Sequence, residues 1–131
     1  MSSRPFATAL LAGVCLLLVM DLVGAVISVR TGLSPGLLEA LGPTARLSAP
    51  IPMMLAQAIL VVGATHDRPA LAVPAGALLA VTGVLAFVSG FFDGGYAAEL
   101  DPGQRAYQVA LVATHLAVGG VAALRVFRLL R

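Results

Sequence analysis

The stretch FATALLAGVCLLLVMDLVGAVISV, residues 6–29, decides what kind of protein this is, because Asp21 is its only charged residue. A helix crossing a hydrocarbon core of ~30 Å needs about 20 consecutive apolar residues, and this run supplies them. Arg4 ahead of it imitates the start of a secretion signal. The apolar run nevertheless resumes after Asp21 and continues to Val29, which reads as a span and not as a cleaved leader. Val14 stands before Cys15 where a lipoprotein signal wants a small residue.

Three more segments of the same kind follow, at 47–65, 69–92 and 106–127, and the middle two carry no charge. Across all 131 residues the chain is 60% hydrophobic and 11% charged, with a mean hydropathy of +1.00. A soluble domain has roughly 45–50% apolar and about 25% charged residues. Such a composition excludes a water-soluble globule and demands a surface that faces lipid. Backbone groups in lipid must pair within their own segment, so the segments are helices and not strands. The expected fold is all-α: one integral membrane domain, residues 1–131, built as a four-transmembrane-helix antiparallel bundle.

Charge fixes the expected orientation. The net charge of +2 comes from eight arginines, with no lysine, against six carboxylates, and their scatter along the chain offers no nucleic-acid surface. With the N-terminus inside, Arg4, Arg68, Arg125, Arg128 and Arg131 fall on inner segments, against Arg30, Arg46 and Arg105 outside. This bias predicts N-in, C-in and a multi-pass protein of the inner cell membrane, whose first partner is the lipid bilayer. Arg125, Arg128 and Arg131 recur every third residue, and we read them as anchors snorkelling to headgroups. Cys15, a lone cysteine, is read as a small buried hydrophobe.

The connections carry recognisable stop and start signals. His66-Asp67-Arg68 is so short that the second and third helices must form a hairpin. Residues 34–43 (SPGLLEALGP) read as a short amphipathic helix lying at the outer interface. Pro50 and Pro52 are tolerated only in a first turn or at a kink; a second helix starting near Ala49 is short. Asp101-Pro102-Gly103-Gln104 has the form of a capping box with proline at the first helical position. The two outer loops also share an L-x-P-x-x-R pattern, at 41–46 and 100–105.

Inside a bilayer, small residues that allow close backbone approach drive helix association. Gly76, Gly83 and Gly90 repeat every seven residues; Gly13 and Gly24 in the first helix, and Gly119 and Gly120 in the last, offer facing surfaces.

Asp21 is the most informative residue, since an intramembrane carboxylate marks a function by default. It shares a helix face with Gly24, Ala25 and Ser28. Gln57, Ser89, Asp93, Gln108 and His115 lie at similar depth on the other helices, and the six polar residues are expected to converge on a cavity opening outward. Interhelical hydrogen bonding accounts for the same residue types equally well. No cofactor or metal is expected: His66 and His115 are too far apart to share an ion, and no glycine-rich phosphate loop, catalytic triad order or CxxC motif is present.

Three function classes follow. The first is a binding or accessory component, either a subunit beside a membrane-protein partner or second copy, with an outward glycine seam, or a handler of a small lipophilic ligand. The second is a membrane enzyme using Asp21 and His115 as acid and base on a lipophilic substrate. The third is a small oligomeric proton-coupled transporter.

Overall fold

The computed structural model describes residues 4–131, of which 76% are helical with no strand among them. Five helices occur in order: α1 (Arg4–Arg30), α2 (Leu37–Ala40), α3 (Ile51–Ala64), α4 (Pro69–Phe92) and α5 (Pro102–Leu129). By length and composition α1, α4 and α5 are able to cross a membrane, and α3 is a shorter apolar helix of 14 residues. The four larger helices close a ring in which α5 packs on α4 and α1, and α3 packs on α4 and α1. Large apolar side chains such as Leu16, Val19, Ile59, Val84 and Val109 point outward all around it, as a lipid-facing surface requires.

Local sequence signals account for the helix ends. Proline stands at the start of α4 and α5, where its missing N–H costs nothing. At the head of α5 the Asp101 carboxylate accepts from Gln104 N at 2.7 Å, and Asp101 N donates to the Gln104 side chain at 3.0 Å. Replacing Asp101 with alanine should lower stability by about 1 kcal/mol, the usual loss for a side-chain N-cap; thermal unfolding in mild detergent, followed by circular dichroism, checks this. α1 ends in a Schellman motif. Gly32 has φ +75°, Leu33 N donates to Ser28 O at 2.8 Å and Gly32 N to Val29 O at 3.3 Å.

α3 begins later than the apolar segment 47–65 suggests. Leu47, Ser48 and Ala49 are non-helical yet buried, laid so closely on α1 that a Cβ at Gly24 would stand 1.7 Å from Leu47 O. Pro50 is the N-cap and Pro52 occupies the first turn. Two of the donors a helix start leaves open are thereby absent. Ile51 N donates to Leu41 O at 2.8 Å, and Ala49 N, just ahead of the cap, to the Asp21 carboxylate at 2.7 Å. The short helix α2 is a single turn within residues 34–43, with Ala40 buried against the bundle.

Arg125 corrects the sequence reading. It is 3% exposed, and its guanidinium donates to Ala64 O at 2.8 Å and His66 O at 3.2 Å, covering carbonyls at the end of α3 instead of reaching headgroups. Of the same trio, Arg128 lies over the Phe6 ring and Arg131 over the Phe127 ring. These contacts gather both ends of the described chain and the α3–α4 turn at one end of the bundle.

The glycine seam of α4 is spent within the chain. A Cβ at Gly83 would come 2.6 Å from His115 O, one at Gly76 would meet Val126, and one at Gly90 would strike the Tyr96 ring. The seam therefore seats α5 and the following loop. Cys15 is exposed on the outer surface, contrary to its reading as a buried hydrophobe.

Candidate functional site

The interior divides along its length. Toward the end that holds the termini, Leu10, Val14 and Leu17 of α1 pack with Val61, Leu79, Val118 and Ala122. Toward the other end the buried positions turn polar, with Asp21 and Ser28 on α1, Gln57 on α3, and Gln104, Gln108 and His115 on α5.

A cavity of about 300 Å³ opens in this polar half, between α4, α5 and the irregular chain ahead of α3. This volume is at the small end of the range typical of ligand pockets. Ser89, Asp93, Gln108 and His115, four of the six residues singled out from the sequence, line it. Asp21 and Gln57 are not among the lining residues. Asp21 sits behind Ala49, whose N–H it holds and which itself lines the cavity. Gln57 is 1% exposed, with its Oε1 unpartnered.

Each wall residue is placed by hydrogen bonds that the sequence alone does not reveal. Gln108 donates to Gly95 O at 2.9 Å and to Arg46 O at 3.4 Å, tying the two longer connections together, and accepts from Arg105 Nη1 at 3.0 Å. Arg105 also donates to Tyr96 O and Ala98 O. Asp93 is exposed and accepts from Gly95 N at 2.8 Å. Arg46, Met53 and Tyr96 are also among the wall residues. The sequence reading passed over Arg46 and Tyr96, for which the repeated L-x-P-x-x-R pattern and the aromatic after Gly94-Gly95 were the available signals.

His115 is the chemically open group. Its Nδ1 lies 2.9 Å from Leu111 O, and Nε2 is buried with no partner among the described residues. A carbonyl oxygen only accepts, so Nδ1 carries the hydrogen, and in the neutral ring Nε2 is a bare acceptor buried in the bundle. Asp21 Oδ2 is likewise buried and without a partner among the described residues. Among the described residues, no three His, Cys, Asp or Glu side chains come together as a metal site would need.

No protein-family model matches the chain, and no curated protein or solved structure shows significant similarity to it. The chemistry of the cavity is therefore the ground for any functional reading.

Proposed function

We propose that this chain is a four-pass protein of the inner cell membrane, with both ends cytoplasmic, that binds a small lipophilic molecule in the cavity beside His115. Five arginines at the end of the bundle that holds the termini, against three at the other, support the orientation. At about 1.5 Å per residue α3 is about 21 Å long, and the irregular residues 45–50 carry the chain the rest of the way. Non-helical backbone at membrane depth is tolerated where protein covers it, and Leu47, Ser48 and Ala49 are so covered.

The observation that supports the binding reading is the cavity itself, where the polar side chains of Ser89, Asp93, Gln108 and His115 come together in an otherwise apolar bundle. An accessory subunit gains less support, since the glycines expected to meet another chain already meet α5 and Tyr96.

Native mass spectrometry of the protein released gently from its own membrane tests this reading. A small molecule should be bound stoichiometrically to the wild type and lost from Ala86→Trp, which fills the cavity. A protein subunit at fixed stoichiometry, with no small molecule, would replace the binding reading with the accessory one.

A further inference from the structure

The mouth of the cavity has a structural cause in the shortness of α3. Gly63 lies so close to Ala75 that a Cβ on it would stand 2.8 Å from the alanine Cβ. The two helices run antiparallel with equal rise, so Ile51, the first residue of α3, comes level with about Phe87 of α4. Past that point the end of α4 has no helix on this flank, and the cavity opens through the gap. Its exposed lining residues, Pro43, Pro50, Ser89 and Asp93, mark the rim. Phe92, 85% exposed and one turn from Ser89, sets that rim against lipid, because water is a poor surrounding for a bare aromatic ring.

Two opposite charges belong to the same space. The Arg46 guanidinium donates to Ala45 O at 3.1 Å, and the Asp93 carboxylate accepts from Gly95 N at 2.8 Å. Ala45 and Gly95 line the cavity, as do Arg46 and Asp93 themselves. Single bonds to wall backbone thus tether both charged ends. No ion pair joins the two groups, and neither makes a second hydrogen bond among the described residues. The guanidinium keeps open donors and the carboxylate an open acceptor, at a depth where uncompensated charge is costly.

Resting on the binding reading above, we propose that the ligand is a zwitterionic phospholipid with a primary ammonium, of the phosphatidylethanolamine class, whose head enters this gap sideways from the bilayer. Its phosphate meets the Arg46 guanidinium, its ammonium donates to Asp93, and its acyl chains stay outside among the lipid. A head of one sign gains one partner and meets one like charge, whereas a zwitterion complements both. Guanidinium N–H groups match phosphate oxygens in geometry as well as charge. The carboxylate only accepts, so it favours an ammonium carrying hydrogens over a quaternary one. A space of about 300 Å³ takes such a head and leaves no room for the chains.

The probe is dioleoyl phosphatidylethanolamine, offered to the full-length protein in mixed micelles in competition with phosphatidylcholine and phosphatidylglycerol of the same chains, with retained lipid counted by native mass spectrometry. One molecule per chain should be held in preference to either competitor by about tenfold, the worth of one hydrogen bond to a charged group. Asp93→Asn should bring phosphatidylglycerol level with phosphatidylethanolamine, since its phosphate still has Arg46 and no like charge remains. Arg46→Gln should lower retention of both, and Glu99→Gln, an exposed carboxylate outside the cavity, should change nothing. The wild-type ranking decides even where a variant fails to fold. Equal retention of the three lipids would mean annular lipid only and overturn the proposal; so would preference for phosphatidylglycerol by the wild type. Displacement by soluble glycerophosphoethanolamine at concentrations as low as the lipid's own would overturn the sideways route, making the free head the ligand. A different small molecule bound to the wild type and lost from Ala86→Trp, with the three lipids held alike, would overturn this inference and leave the cavity a ligand site, so the two readings fail separately.

Discussion

A methyl group at position 24 is expected to push residues 47–49 off α1 and to leave a protein that aggregates in mild detergent. The Cβ of a Gly24→Ala variant would lie 1.7 Å from the oxygen and 2.7 Å from the carbon of the Leu47 carbonyl, and 3.1 Å from the Tyr107 ring. The first two obstacles are backbone atoms, which cannot rotate aside as a side chain can. Overpacking of a core costs about 1–3 kcal/mol where side chains adjust. Here the displaced segment also surrenders the hydrogen bond between Ala49 N and the Asp21 carboxylate, and bonds to charged groups contribute about 1.5–3 kcal/mol. The combined loss is about 3–5 kcal/mol, a large part of the about 5–15 kcal/mol that holds a typical domain together. Gly120→Ala is the control. Nothing lies within 4 Å of a Cβ there, so the substitution should gain about 0.5–1 kcal/mol from helix propensity. Unfolding titrations of the two variants in mixed micelles decide the matter; equal stability would mean that residues 47–49 do not run against α1.

The contrast between these glycines shows what the sequence discloses and what it withholds. The seven-residue repeat of Gly76, Gly83 and Gly90 marks a surface of close approach, because small side chains on one helix face have that physical consequence wherever they occur. Which helix fills the surface depends on the order of helices around the ring, and no local pattern encodes that. The limits of α4 and α5 were legible for a similar reason: proline, glycine and the Asp101–Gln104 pair act on their immediate neighbours. α3 was less so. Leu47-Ser48-Ala49 is as hydropathic as the helix after it, and its non-helical course is fixed by two prolines together with Gly24 and Asp21 on another helix.

The site divides along the same line. Polar residues at matching depth in apolar helices announced a shared interior, and Ser89, Asp93, Gln108 and His115 do line one cavity. Arg46 and Tyr96 reach it from loops, where hydropathy carries no periodic signal. Arg125 was misjudged because its spacing to Arg128 and Arg131 suggested a common role, while its partners, Ala64 and His66, lie about sixty residues away in sequence.

The second large effect concerns the two buried charges that bracket α3. Asp21 holds the N–H just ahead of its first turn, and Arg125 holds carbonyls at and beyond its last, a placement that also complements the helix dipole. Ionisable groups at membrane depth are costly, and here each covers backbone groups that lipid could not satisfy. Asp21→Leu should therefore leave Ala49 N unpaired and cost about 1.5–3 kcal/mol, and Arg125→Met should cost a similar amount at the other end. The sites share no hydrogen-bond partner and lie at opposite ends of a helix about 21 Å long, so the double variant should lose the sum within about 0.5 kcal/mol. Asp21→Asn separates structure from chemistry. Its amide oxygen still accepts from Ala49 N, so its loss should stay below about 1 kcal/mol if the backbone bond is the carboxylate's task. If Asp21→Asn falls as far as Asp21→Leu, the charge itself is required, beyond the hydrogen bond to Ala49 N. In that event the proton-handling readings of the Asp21 and His115 pair gain over simple binding, because a hydrogen bond to backbone needs an acceptor and has no need of a full negative charge.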